Sequence, residues 1–312
     1  MNATAKKFRL VTRSDFDGLV CAVLLKELGM LEGIKFVHPK DMQDGTVEIT
    51  DSDITANLPY VPSAYLAFDH HSSEAKRVVG DPKNHILDPN AASAARVIYN
   101  CYGGKEALPG ISEDLLNAVD RADSAQFSVD EIFEPEDWAL LSYLMDPRTG
   151  LGRFRDFAIS NYQMMMELID DIRHYSVQEI LHLPNIKARV DLYLSHKKMH
   201  IEQIKRSSTV HDNLVLLNLQ NEETIYTGNR FVIYALYPEC NISIHQQWGR
   251  NKQNTVFTVG KSIVNRSSRT HIGALMLEYG GGGHDAAGTC QIDNDEAGTV
   301  LDQLIERITA DG

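Results

Sequence analysis

The sequence predicts an α/β protein with an N-terminal parallel sheet, a helical connector and a smaller α/β domain carrying a mixed sheet. Three observations carry this. Short apolar runs alternate with helical patterns over the first third of the chain. Residues 154–207 read as helix almost throughout. Strand-like runs then return from about residue 210. Strands separated by helices imply parallel pairing with helices on the sheet faces. The chain is divided accordingly into segments 1–150, 151–209 and 210–312.

Residues 8–12 form the first strand, followed by Ser14-Asp15-Phe16-Asp17-Gly18 and a helical run over 19–31. Residues 34–38 and 46–50 (T-V-E-I-T) are predicted strands, the latter stopping at Asp51-Ser52-Asp53. Residues 64–68 (A-Y-L-A-F) are a fourth, stopping at Asp69-His70-His71. Helix is predicted over 91–102, and Ser112-Glu113-Asp114 opens another with N-capping chemistry. In the connector, Pro184 breaks the helical pattern and Met164, Met165 and Met166 are helix-packing residues. Beyond it, 214–219, 241–247 and 255–259 are strands. A helix at 271–279 runs into four glycines, a strand follows at 286–292, and an amphipathic helix at 295–308 closes the chain.

At 312 residues, 43% hydrophobic and 23% charged, the chain can bury a sizeable core. The start at residues 1–7 is polar, with no signal-like apolar region, and the longest apolar run is too short to span a bilayer. Cys21, Cys101, Cys240 and Cys290 lie far apart without a CxxC pair, as expected of free thiols in a reducing compartment. A soluble cytoplasmic protein is expected, with no membrane partner. A homodimer is compatible with the sequence. The net charge of -13 argues against long DNA or RNA, whose binding depends on many Lys and Arg contacts. A small anionic substrate with a local cation cluster is compatible with it.

The chemistry concentrates at strand ends. Asp15/Asp17, Asp51/Asp53 and Asp69-His70-His71 each follow a predicted strand, and in an open parallel sheet ligands bind at the carboxyl ends of strands. Such groups converging in one crevice would repel one another without a cation. Carboxylates suit Mg²⁺ and Mn²⁺, and imidazole shifts the preference toward Mn, Fe or Zn. Taken alone, D-F-D-G also fits a haloacid-dehalogenase phosphatase, but that leaves Asp69-His70-His71 and the glycine run unexplained. Gly280, Gly281, Gly282 and Gly283, followed by His284, let backbone approach an anion closely. Arg266, with Arg269 near it, is a candidate cation.

Taken together, D-x-D-G, D-H-H and G-G-G-G-H-x-A-A-G resemble the DHH phosphoesterase superfamily with its C-terminal DHHA1 domain. That group includes RecJ-type exonucleases, nanoRNase/pAp-phosphatase proteins, cyclic-dinucleotide phosphodiesterases and proteins labelled exopolyphosphatase-related. The resemblance covers about residues 8–125 and 210–292. It implies that Asp15, Asp17, Asp51 and His70 are metal ligands, with Asp51 bridging two metals. Asp123 of D-S completes the set in preference to Asp120. His71 faces the scissile phosphate, and Asp69 and Arg13 join the catalytic group. Gly281, Gly282, Gly283, His284 and Arg266 bind substrate, the DHHA1 domain closing over the cleft.

The cofactor implied is Mn²⁺, or Mg²⁺ or another divalent ion, one or two per chain. Two-metal members usually carry a His four residues before the first Asp, where this chain has Val11. Three outcomes stand open: a weaker first site completed by water, a one-metal enzyme with Arg13 in place of an ion, or lost catalysis. The implied reaction is hydrolysis of short oligoribonucleotides, linear dinucleotides or pAp by metal-activated water. An exopolyphosphatase, or a nucleotide-binding sensor with weakened catalysis, is the alternative.

Overall fold

A computed structural model describes residues 6–312, so residues 1–5 of the polar start lie outside the described residues. The described residues form two compact units. One holds the chain up to Gln126 together with Pro135–Asp191, the other Phe127–Glu134 with Leu192–Gly312.

The first unit opens with strand β1 (Phe8–Arg13), helix α1 (Phe16–Glu27), strand β2 (Leu31–Val37) and a short helix α2 (Pro39–Gln43). Strands β3 (Asp53–Ala56) and β4 (Leu66–Asp69), helix α3 (Ser72–Arg77) and strand β5 (His85–Leu87) follow. The five strands form one sheet in the order β2-β1-β3-β4-β5, every pairing parallel. From β1 the chain crosses outward to β2 and returns to β3 on the other side. The sheet therefore has its topological switch point between β1 and β3, where the carboxyl ends of the strands open a crevice.

Leu10 and Val11 of β1 are both fully buried, as expected of a parallel strand covered on two faces. Val11 packs with Val37, Met42, Ile49, Leu58 and Ala64. Helix α1 has ten of its twelve residues buried, which a helix apolar on every side requires.

One predicted strand is displaced. No strand forms over 46–50; the strand is Asp53–Ala56, in register with Arg9 to Thr12. Thr50 ends the approach instead, its backbone N–H and hydroxyl donating to Asp53 Oδ2, while Ile49 packs into the cluster around Val11. Apolar alternation in T-V-E-I-T comes from that packing, not from a ladder.

Helices α4 (Ala94–Cys101), α5 (Glu113–Asp123), α6 (Val129–Phe133), α7 (Asp137–Met145), α8 (Asn161–His174), α9 (Val177–His182) and α10 (Pro184–Ser207) follow. Of these, α6 belongs to the second unit, and the division falls within α10. Serine caps start most of them. Ser93, Ser112, Ser128, Ser160 and Ser176 each accept from a first-turn backbone N–H, and the last three form full capping boxes. Each is worth about 1 kcal/mol. Pro184 breaks the pattern by starting α10, where its missing N–H costs nothing. Met164 and Met165 are buried in α8.

The second unit continues with β6 (Ser208–His211), β7 (Leu214–Asn218), α11 (Val232–Leu236), β8 (Ile242–Trp248) and β9 (Thr255–Lys261). Helix α12 (Ile272–Glu278), β10 (Gly282–His284), β11 (Ala287–Ile292) and α13 (Ala297–Asp311) complete it. Its six strands run β10-β11-β9-β8-β7-β6, with β7 and β8 parallel and every other pair antiparallel. This is the mixed sheet the sequence predicts. Ile242, Ile244, Phe257 and Val259 pack beneath Ile272, Met276, Val300 and Leu304. No helix among the described residues is long and apolar enough to cross a membrane.

Candidate active site

The carboxyl ends of β1, β3 and β4 gather the candidate groups. Asp15 follows β1 and caps α1, its Oδ1 accepting from Gly18 N–H at 3.0 Å. Gly18 is fixed by space: a Cβ there would lie 2.0 Å from the Arg13 carbonyl oxygen, so D-x-D must be followed by glycine. Asp17 sits in the first turn of α1, fully enclosed. Its two oxygens accept from Ala94 and Ala95 N–H at 2.9 and 2.8 Å, the first turn of α4. A helix N-terminus is a favourable seat for a carboxylate.

At the end of β4, Asp69 is buried and its Oδ1 organises the next two residues. It accepts from the backbone N–H of His70 at 2.8 Å and of His71 at 3.3 Å, and meets His71 Nδ1 at 2.6 Å. The His71 ring is thereby held with Nδ1 toward the carboxylate, which puts Nε2 on the far side of the ring. Burial opposes protonation of His71, but Asp69 outweighs it and holds the imidazole above its ordinary value.

His70 turns the other way. Its Nε2 lies 3.1 Å from Asp123 Oδ2, at the end of α5, and 4.0 Å from Asp17 Oδ2. Burial disfavours a charged His70, yet Asp123, Asp17 and Asp69 together hold it up at about 9. The same crowding pushes Asp17 up to about 7, through burial first and the Asp123 charge second. Asp15 is raised, again chiefly by burial.

This cluster fits a divalent ion. Ligand atoms of Asp17, His70 and Asp123 lie within 4.8 Å of one another. His70 Nε2 is buried between the two carboxylates, 3.1 Å from Asp123 Oδ2 and 4.0 Å from Asp17 Oδ2. An imidazole nitrogen turned between two buried carboxylates is a donor set that suits a divalent cation.

Other expected site residues fall differently. Asp51 is exposed in the turn before β3, at the amino end of the sheet. The four residues of β3 alone span about 13 Å, so Asp51 is carried away from the carboxyl-end cluster. The residue at the carboxyl end of β3 is Asn57, whose Nδ2 donates to Asp15 Oδ1 at 3.1 Å. Asp53, the other acid expected there, ends in a structural ion pair with Arg9 at 2.6 Å. Asp120 is held by Ser93 Oγ and Arg96 Nε, whereas Asp123 reaches His70. Arg13 pairs with Asp15, Nε to Oδ2 at 2.8 Å.

In the second unit the glycine run turns at Gly280, passes through Gly281 and becomes a strand from Gly282. Gly282, Gly283 and His284 form β10, paired with β11. Gly280 has φ of 71°, the left-handed stop after α12. At Gly283 a Cβ would lie 2.2 Å from the Ala287 carbonyl oxygen. At Gly282 it would meet nothing within 4 Å. His284 pairs with Ala287 and is exposed; Arg266 is exposed, its Nε donating to Ile263 O.

Two groups were missed from the sequence. Asn57 had a signal, a polar residue closing the apolar run I-T-A. Arg148, tied by Nε to Asp146 Oδ1 at 2.7 Å with its charge acting on Asp15 and Asp123, had none, because it lies far along the chain.

No protein-family model and no curated protein matches the chain. Among solved structures, PggH, a pGpG-specific phosphodiesterase from Vibrio cholerae, is 58% identical. The match covers 98% of this chain and 100% of that one, with a TM-score of 0.85. RecJ in complex with Mn²⁺ from Thermus thermophilus matches 98% of this chain and 52% of its own, at 11% identity and a TM-score of 0.54, a likeness of fold. The fold, the carboxylate–imidazole cluster and these matches define a phosphoester hydrolase. The chain belongs to the DHH superfamily of phosphoesterases.

Proposed function

We propose that the chain hydrolyses the phosphodiester bond of short linear dinucleotides, pGpG foremost, at a site holding a single Mn²⁺. The observation that carries the substrate is the 58% identity, over essentially both full chains, to a pGpG-specific phosphodiesterase. Asp17, His70 and Asp123 would hold the ion, with Asp15 beside them. When bound, the ion supplies a more acidic water and polarises the phosphoryl oxygens.

This chain's own residues do the rest. Asn57 and Arg13 orient Asp15. His71, fixed by Asp69, presents Nε2–H to the leaving oxygen. One water is consumed; its oxygen joins phosphorus as the P–O bond breaks, and the leaving oxygen takes a proton, giving two mononucleotides. In this reading 1–150 is the catalytic segment, 151–209 the connector and 210–312 the DHHA1-like substrate-binding segment. Gly281, Gly282, Gly283, His284 and Arg266 would hold the nucleotide end there. Arg13 beside Asp15, with apolar Val11 upstream, supports one ion rather than two.

The test is a panel of pGpG, pApA, pAp, a 5-mer RNA and polyphosphate with added Mn²⁺, run on the wild type and His70→Ala. Preferred hydrolysis of pGpG, lost in a folded His70→Ala, is expected. A preference for polyphosphate, or unchanged activity in the variant, overturns the reading.

A further inference from the structure

A cavity of about 170 Å³ lies in the first unit beside the acidic cluster. Its wall includes Ser14, between Arg13 and Asp15, with Met145 at the end of α7, Leu151 and Gly152 beyond it, and Met164 and Met165 of α8. Ser14 Oγ lies 3.2 Å from Met165 Sδ, so the loop carrying Asp15 and the methionine wall are in direct contact. The catalytic cluster makes no use of this space.

We propose that the cavity receives the nucleobase attached to the phosphate under attack, and so sets the base preference of the enzyme. The inference rests on the dinucleotide reading above and adds to it where the base goes.

Size comes first. Whole small-molecule sites measure roughly 300–1,000 Å³, so a dinucleotide does not fit. An apolar cavity of about 150 Å³ takes a single aromatic ring, so one ring system does.

Wall chemistry agrees. Methionine thioethers are polarizable and adaptable and make favourable contacts with aromatic rings, and three of them face this one space. Their placement on two different helices shapes a slot of soft walls, suited to a flat ring more than to a sugar or a free phosphate.

Position ties the ring to the reaction. Because Ser14 is shared between the cavity wall and the Asp15 loop, a group in the cavity is a near neighbour of a phosphate at Asp15 and Asp17. Arg148, anchored on the wall residue Asp146, adds a guanidinium whose charge acts on Asp15 and Asp123 and would face that phosphate. Gly152 leaves the mouth open. It is exposed, its φ is not positive, and a Cβ there meets nothing within 4 Å.

The full-length chain tests this in two ways. With methyl-¹³C methionine, GMP is expected to shift the Met164 and Met165 signals, while ribose 5-phosphate at the same concentration leaves them in place. In Gly152→Phe, which fills the mouth without backbone strain, GMP affinity should fall at least about tenfold, with KM for pGpG rising in parallel. Its Tm and its Mn²⁺ affinity, titrated with the metal alone, should match wild type. Methionine signals unmoved by GMP, equal shifts with ribose 5-phosphate, or wild-type GMP binding in Gly152→Phe would each show a mere packing void and overturn the inference. The methionine signals need no variant, so they decide the matter even if Gly152→Phe fails to fold. Since GMP binding is read without turnover, failure to hydrolyse pGpG would sink the functional reading while leaving the cavity separately tested.

Discussion

Arg13 and Asp15 form an ion pair across one intervening residue, Nε to Oδ2 at 2.8 Å, beside the cluster of Asp17, His70 and Asp123. The guanidinium occupies one face of the first Asp of D-x-D-G. Four residues before that Asp stands Val11, fully buried among Val37, Ile49 and Leu58, with no ligand atom to offer.

Metal stoichiometry follows from this pair. Titration of the chain with Mn²⁺ should saturate at one tightly held ion. Arg13→Ala should keep that ion but lose about 10–100-fold in turnover, the usual cost of removing a residue that orients a group next to a metal site. Two tight ions per wild-type chain, read by elemental analysis after desalting, would refute the single-ion site.

Asn57 and Asp51 separate by the same logic of strand polarity. Asp51→Ala should change stability by no more than about 0.5 kcal/mol and leave activity near wild type, as for an exposed turn residue. Asn57→Ala removes the hydrogen bond to Asp15, a bond to a charged group worth about 1.5–3 kcal/mol, and should lower kcat/KM by about tenfold or more. Steady-state kinetics on both variants checks this; the reverse ranking would restore Asp51 to the site.

The displaced strand shows what the sequence could and could not disclose. The two-part α/β architecture was legible because apolar runs such as F-R-L-V-T and A-Y-L-A-F must be buried strands, and Ser112 announces its helix by capping. D-x-D-G and D-H-H were legible because each motif lies within a few residues. Asn57, though it closes I-T-A, was passed over because T-V-E-I-T alternates like a strand while its apolar residues serve a cluster around Val11. Register is set by pairing with β1, which no local pattern contains. Arg148 and the pairing of β10 with β11 were hidden for the same reason. They depend on contacts between distant residues or on hydrogen bonds of glycines that carry no side-chain pattern.

Asp69 holds the His71 ring, and a pH profile tests whether that contact matters to turnover. The carboxylate holds the His71 pKa above its ordinary value against the pull of burial. In Asp69→Asn that support is gone and the pKa falls. If protonated His71 serves the leaving oxygen, the alkaline limb of kcat/KM must move to lower pH in Asp69→Asn, together with a lower maximum. A lower maximum with an unmoved limb would assign Asp69 a purely architectural part.

His245 on β8 gives a stability signature independent of catalysis. Burial first, then the charges of His200 and Arg230, hold its pKa down at about 4, against 6.5 for a free imidazole. Between those values the unfolded chain binds a proton that the folded chain refuses. The stability is therefore fully present above pH 6.5 and is lost as pH falls toward 4. His245→Gln should flatten this part of the curve of urea midpoint against pH. An equally steep curve in the variant would show that other groups set the acid limit.

The glycine run supplies the last prediction, because its members differ in what they do for the fold. Gly283 lies against β11 with φ of 157°, and a Cβ would sit 2.2 Å from the Ala287 carbonyl oxygen. Gly283→Ala must push backbone against backbone, and a loss of about 1–3 kcal/mol is expected, on the scale of a strained backbone position. Gly282 has no such reason to be glycine: a Cβ there meets nothing within 4 Å and its φ is not positive. Gly282→Ala should therefore melt like wild type. If the run exists partly to let backbone approach a nucleotide, the same variant should raise KM for pGpG several-fold at unchanged Tm. A Gly282→Ala enzyme with wild-type KM and Tm would mean that the run serves only the hairpin it builds.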